Sequence, residues 1–299
     1  MGPLLRVAAV DLREAGIANG AMEARWLLAS ALEVDASALL TVVDVDERTA
    51  TKFRALVERR CRREPLQHLL GRAAFRHLDL LVGPGVFVPR PETEHLVDLV
   101  LGGIADHDGP VVVDLCSGSG ALGLAIAFER ADATVALVER SAAALTWLRR
   151  NLAEQPDPVR ARVQVVAVDI ADPTAAAVIT AVVGVADAVV ANPPYVPTTA
   201  PVGPEVEHDP VDAVFGGVDG LELFPALTGL AATLLKAGAL FATEHDESHQ
   251  AELVTLLRAS GVWSQIATHA DLTGRARFVT ALRSPAIDTR DTGTAESDR

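Results

Sequence analysis

The chain of 299 residues holds only two cysteines, Cys61 and Cys116, which excludes a disulfide framework and makes a reducing compartment the default. Positive charge is scarce. There are 26 Lys and Arg against 40 Asp and Glu, a formal net charge of −14. A protein whose main task is gripping a phosphate backbone needs the opposite balance, so no stable nucleic-acid partner is expected. No uncharged apolar run reaches the length of a membrane span; the Ala/Val-rich segment 174–186 is too short and runs into Asp187. The first residues include Arg6, Asp11, Arg13 and Glu14 where a secretory signal needs an apolar run. These absences predict a soluble, cytoplasmic protein without a membrane partner; a monomer is expected, and no metal site.

Charge is unevenly spread. Residues 1–85 carry twelve Lys/Arg and eleven Asp/Glu, while the remainder carries fourteen and twenty-nine, so a near-neutral front segment joins an acidic body. Residues 1–70 read as a helical domain, with apolar residues at helical spacing over Ala21–Leu32, a turn at Asp35-Ala36-Ser37, and a helix from Asp46 to about Arg63 ended by Pro65. Arg59, Arg60, Arg62 and Arg63 within it read as a solvated helix face, or as a contact for RNA or an acidic partner. Phe75, Leu78, Leu80 and Val82 partly alternate with polar residues, and Gly83-Pro84-Gly85 reads as the turn of a hairpin linker over 71–88.

From Pro110 strands and helices alternate: strands over 111–115, 134–138, 163–168, 186–191 and 239–243, helices over 121–129, 141–154, 221–235 and 248–259, and closing strands over 262–268 and 277–282. This predicts an α/β domain over 89–283. The stretch 284–299, rich in Asp, Thr, Ser and Ala, is expected to be disordered.

Three segments carry chemistry. Residues 192–195 read Asn-Pro-Pro-Tyr, directly after an apolar run. Its two prolines stiffen the turn before any substrate arrives. The Asn192 side-chain carbonyl and the Pro193 backbone carbonyl can each accept one N–H of a planar –NH2 group. Pro194 completes the turn and Tyr195 can cover the flat face. Alone, the same residues also read as a strand ending in a Pro-rich turn.

The second segment, Asp114-Leu-Cys-Ser-Gly-Ser-Gly120, follows a strand and opens a helix. Cys116, Ser117, Gly118, Ser119 and Gly120 let the backbone pass close to a ligand, and the helix N-terminus offers N–H groups. Glu139 ends the next strand, where a carboxylate commonly accepts both ribose hydroxyls of a nucleoside. With Gly123 the spacing also satisfies the dinucleotide fingerprint, which leaves an NAD(P) protein open. Two features favour S-adenosylmethionine. Asp114 suits a positive methionine end better than a pyrophosphate, and Asn192 ends the fourth strand at the sheet's carboxyl edge. Asp169, with Ile170 after it, ends the third strand within reach of an adenine amino group; it reads equally as the start of a turn.

The third is Val88-Pro89-Arg90-Pro91-Glu92-Thr93-Glu94. A proline followed by carboxylates suits a helix N-terminus. That leaves Arg90, rigidly placed between prolines, as a wall of the substrate cleft.

By these segments the chain resembles the HemK-type protein-(glutamine-N5) methyltransferases, whose main branch modifies peptide-chain release factors. The resemblance covers nearly the whole chain, including Phe87–Glu94, Asp114–Gly120, Asn151, Asn192–Tyr195, Gly216–Leu221 and Asp271–Arg277. It implies a helical docking domain, a hairpin, and a Rossmann-like seven-stranded methyltransferase domain, mostly parallel with an antiparallel last strand. It also implies S-adenosylmethionine as cofactor and, as substrate, the Gln of the release factor's Gly-Gly-Gln loop. Two departures stand out: His208-Asp209-Pro210 where the family usually has Glu-Pro, and Glu244-His245-Asp246 where it usually has an acidic residue followed by Ile-Gly.

On this reading Asn192 and the Pro193 carbonyl hold the amide –NH2 and aim its nitrogen at the sulfonium methyl, with Tyr195 excluding water. An Asp at position 192, which keeps an acceptor, is expected to retain more activity than an Ala. Three other readings stay open: a Gln methyltransferase acting on a ribosomal protein, methylation of a nucleobase amine, and an NAD(P)-binding Rossmann protein.

Overall fold

The computed structural model describes residues 1–285; the expected disorder of the tail falls, from residue 286 on, outside the described residues. The front of the chain is helical: α1 (Gly2–Glu14), α2 (Gly20–Leu32), α3 (Glu47–Cys61) and α4 (Leu66–Leu70). Asp46 caps α3 by accepting from the Thr49 N–H at 2.7 Å. Leu12, Leu27, Leu28 and Phe53 are fully buried and give these helices a core of their own.

Strands β1 (Arg72–Phe75) and β2 (Leu78–Leu81) pair antiparallel. Their turn is Arg76-His77 and not Gly83-Pro84-Gly85, and residues 86–88 form no strand. Arg76 adopts a φ of 51°. Its side chain holds it there, bonding Asp98 at 2.8 Å and Glu129 at 2.7 Å, while its backbone N–H donates to Glu94 at 2.9 Å. A tethered arginine thus stands where a tight turn usually shows Gly or Asn. Phe75, Leu78 and Leu80 are buried in one cluster with the residues of the sheet that follows, so the hairpin is packed into the body rather than strung between two units.

The body begins with α5 (Glu94–Gly103), β3 (Val111–Leu115), α6 (Ala121–Glu129), β4 (Thr134–Glu139) and α7 (Ala142–Glu154). It continues with α8 (Asp157–Arg160), β5 (Val163–Ala167), α9 (Ala175–Val183), β6 (Ala186–Ala191) and α10 (Val211–Val214). It closes with α11 (Phe224–Leu234), β7 (Leu235–Glu244), α12 (Gln250–Ala259), β8 (Trp263–Ala270) and β9 (Ala276–Arg283). The seven strands run in the order β5-β4-β3-β6-β7-β9-β8, and β9 is antiparallel to both neighbours. Each strand from β3 to β6 is an unbroken apolar run or nearly so, because helices cover both faces of the sheet. The strand order reverses beside β3, so the loops after β3 and β6 part and open a crevice at the carboxyl edge. No helix among the described residues is long and apolar enough to cross a membrane.

Candidate active site

A cavity of about 1100 Å³ opens at that crevice. At one end its wall is built by Cys116, Ser117, Gly118 and Ser119 after β3, by Glu139 at the tip of β4, and by Asp169 and Ile170 after β5. At the other end stand Phe87, Arg90 and Thr93, facing Asn192, Pro193, Pro194 and Tyr195 after β6. Two residues expected here do not line it, Asp114 and Gly120.

Asp114 lies under the loop. Strand alternation sends Val113 and Leu115 into one apolar layer and Val112 and Asp114 toward the other, where α6 packs. Its Oδ2 accepts from the Gly123 N–H at 3.0 Å, and its Oδ1 has no partner. The carboxyl thus supports the start of α6 from below. Gly120 is the hinge of the same turn, with a φ of 87°, and a Cβ there would come within 3.0 Å of Leu124. At Gly118 a Cβ would meet nothing within 4 Å, so the loop is open on its cavity side. Ser119, Ala121 and Leu122 line the cavity at the first turn of α6, where helix N–H groups lack acceptors of their own.

Burial raises the Asp114 pKa to about 7, against the hydrogen bond from the Gly123 N–H. The sign follows from linkage. A carboxyl whose folded pKa lies above its unfolded value of 3.8 contributes stability that is fully present below 3.8 and lost as pH rises through about 7. Wild-type protein without ligand should therefore lose on the order of 2 kcal/mol relative to Asp114→Asn between pH 5.5 and 8. Denaturant unfolding of both proteins at those two pH values checks this; parallel pH profiles would place the Asp114 carboxyl in a polar setting.

Glu139 is held by two backbone donors. Its Oε2 accepts from the Gly118 N–H at 2.9 Å and its Oε1 from the Ser141 N–H at 2.7 Å. Each oxygen keeps a second lone pair, and the residue lines the cavity. Asp169 makes two sets of contacts. It starts the turn by accepting from the Ala171 N–H at 2.9 Å, and it lines the cavity while pairing with Arg140 at 3.1 Å. The Ala171 hydrogen bond and Arg140 hold its pKa below the usual carboxylate range. Asn151 binds both the N–H and the C=O of Leu81 and the Ser119 carbonyl, tying the hairpin to the glycine loop.

The Asn-Pro-Pro-Tyr turn is backed by glycines. A Cβ at Gly216 would lie 2.5 Å from the Pro194 oxygen, and one at Gly220 would lie 2.3 Å from the Tyr195 oxygen. No donor among the described residues takes the Pro193 carbonyl. Tyr195, the only tyrosine of the chain, donates its hydroxyl to Glu244 Oε1 at 2.7 Å. Thr93 donates to Glu244 Oε2 at 2.7 Å, and Asn192 Nδ2 donates to Thr93 Oγ1 at 3.1 Å. Neither Thr93 nor Glu244 stands out in the sequence as a site residue. Burial raises the Glu244 pKa, opposed by the Thr93 and Tyr195 hydroxyls and the Arg277 charge.

Arg90 lies over the Phe87 ring, 4.8 Å from its centre, and pairs with the buried Asp209, which also accepts from the Val88 N–H. The departure at 208–210 thus keeps an acid where Arg90 needs one. His245 is fully buried, its Nδ1 2.7 Å from the Asp246 carbonyl, and burial lowers its pKa. The arginine cluster is divided: Arg59 and Arg62 stay on a solvated face, while Arg60 and Arg63 turn inward. Arg62 pairs with Glu58 and Arg59 with Glu64, while the buried Arg60 bonds Glu23 at 2.7 Å and Glu205 at 3.1 Å. Arg63 joins at 2.6 Å from Glu205. Glu205 belongs to the segment after Tyr195, whose Val196, Val206 and Pro210 line the cavity, so the front helices hold one of its walls.

The family model described as "PrmC N-terminal domain" matches residues 3–71, and that described as "Methyltransferase small domain" matches residues 78–205. The chain is 43% identical over 280 residues to a "Release factor glutamine methyltransferase" of Mycolicibacterium smegmatis, covering 93% of this chain and 96% of that protein. It is 42% identical over 284 residues to the protein of the same description from Corynebacterium glutamicum, covering 95% and 99%. Among solved structures, the hMettl16 catalytic domain in complex with a 3′UTR hairpin matches with a TM-score of 0.53 at 15% identity, over 73% of this chain and 79% of that one, a likeness of fold.

Proposed function

Because the chain belongs to the release factor glutamine methyltransferase family and is a methyltransferase, we propose that it methylates the side-chain amide nitrogen of the Gln in the Gly-Gly-Gln loop of peptide-chain release factors, using S-adenosylmethionine. The observation that carries the reading is a single cavity with a diol-accepting carboxylate, Glu139, at one end and the Asn192–Tyr195 amide clamp at the other.

The residues present suit S-adenosylmethionine. Glu139 has a free lone pair on each oxygen for the two ribose hydroxyls, and the open side of Gly118 leaves room beside it. Asp169 and Ile170 would bound the adenine. When bound, the cofactor supplies a methyl group on a positively charged sulfur. An amide nitrogen is a poor nucleophile because its lone pair is delocalised into the carbonyl, and here the chain's contribution is placement and charge. Asn192 Oδ1 and the Pro193 carbonyl accept the two N–H bonds, draw off positive charge as it develops, and fix the nitrogen's line of approach. Tyr195 covers the amide face and excludes water. The surplus proton leaves to solvent, so no general base is required. The front helices are assigned to docking the protein substrate.

The test is incubation with labelled S-adenosylmethionine and purified release factors, either wild type or with the loop Gln replaced by Ala. Label should enter the first and not the second. Label in neither, or equally in both, overturns the assignment.

A further inference from the structure

The clamp needs Asn192 to face the substrate with its oxygen. If the side chain presented its –NH2 instead, two donors would meet and the amide would be turned away. Nothing in Asn192 itself decides between the two orientations, since the oxygen and nitrogen ends have nearly the same shape. The decision comes from Thr93. A hydroxyl has one hydrogen, and that of Thr93 goes to Glu244 Oε2 at 2.7 Å. Toward Asn192 it can therefore only accept, and it does so from Nδ2 at 3.1 Å. Glu244 is in turn a two-sided acceptor, since its other oxygen takes the Tyr195 hydroxyl at 2.7 Å. One buried carboxylate thus sets the polarity of both the clamp and its cover. Thr93 and Glu244 are themselves buried, which strengthens the bond between them. Thr93 reaches this spot because Pro91–Thr93 forms a tight turn in which the Thr93 N–H donates to the Arg90 carbonyl at 3.2 Å.

We propose that Thr93, oriented by Glu244, is the positioning residue that holds the Asn192 carboxamide with its oxygen toward the cavity. The role rests on the glutamine-methylation reading above. It gives a physical reason for the segment around Thr93 and the Asn-Pro-Pro-Tyr turn to occur together, because the first orients the second.

The experiment uses the full chain, S-adenosylmethionine and a purified release factor. Thr93→Val keeps the side-chain shape and removes the hydroxyl; Thr93→Ser keeps the hydroxyl. Thr93→Val should lower kcat about tenfold or more, by comparison with removing one preorganised group from a reacting site. The Kd for S-adenosylmethionine should stay as in wild type, and Thr93→Ser should keep most of the wild-type kcat. A second readout follows polarity. Release factor with its loop Gln replaced by Glu should inhibit Thr93→Val more strongly than wild type, because an untethered Asn192 can turn its –NH2 to a carboxylate. If Thr93→Val does not fold, Thr93→Ala removes the same hydroxyl and is read in the same way. Wild-type kcat together with unchanged discrimination between the Gln and Glu loops in the hydroxyl-free variant overturns the positioning role while leaving the function standing. A wild-type enzyme that labels no release factor overturns the function, and this inference with it.

Discussion

Asn192→Ala should cut turnover on release factor by about a hundredfold or more, the scale seen when one preorganised polar group is removed from a transition-state site. The Kd for S-adenosylmethionine should stay near the wild-type value, because the side chain is tied to Thr93 and stands at the clamp end of the cavity, away from Glu139. Single-turnover kinetics at saturating substrate, with calorimetric titration of the cofactor alongside, separates the two effects. Wild-type turnover in Asn192→Ala would reduce the Asn-Pro-Pro-Tyr segment to a turn.

The structure reverses the ranking expected for Asn192→Asp. A carboxylate at this position keeps an acceptor for the substrate, but its other oxygen would face Thr93 Oγ1, whose hydrogen is already given to Glu244. Either two acceptors meet, or Thr93 turns and leaves Glu244 Oε2 without its donor. A second negative charge beside a buried carboxylate adds repulsion and desolvation. Asp should therefore be no better than Ala at 192.

Glu139→Ala should weaken S-adenosylmethionine binding by about 2–4 kcal/mol, the worth of two hydrogen bonds to a charged acceptor, or roughly 30- to 1000-fold in Kd. The same substitution frees the Gly118 and Ser141 N–H groups, so a lower unfolding midpoint should accompany the weaker binding. Calorimetry reads the first and thermal unfolding the second. An unchanged Kd would remove Glu139 from the cofactor site.

The strands were the most legible part of the fold. A run such as Val111–Leu115 is apolar but for Asp114 because helices cover both faces of the sheet, and such runs announce themselves. The hairpin turn was not legible, because Arg76 holds its positive φ through bonds to Glu94, Asp98 and Glu129, none of them adjacent in the chain. Helix α9 was hidden in an Ala/Val-rich stretch with little polar contrast. The cavity residues of the glycine loop and the Asn-Pro-Pro-Tyr turn were readable because each motif is local. The place of Asp114 under α6 follows from counting alternate residues along β3. Thr93 and Glu244 were missed because their meaning depends on residues 93, 192 and 244 coming together. The fingerprint from Gly118 to Gly123 could not separate a methyltransferase from an NAD(P) protein; family membership does.

The bond from Glu205 to Arg60 and Arg63 limits how this enzyme can be retargeted. A chimaera carrying a foreign recognition module in place of the front helices would leave Glu205 without its cations, on the same stretch of chain that lines the reaction chamber. The segment would then have to refold around a stranded acid, so the graft would disturb the chamber as well as the choice of partner. A replacement module must bring two guanidinium groups to the same place, or the Glu205 position must be neutralised together with the swap. The front helices and the chamber wall can be exchanged only together.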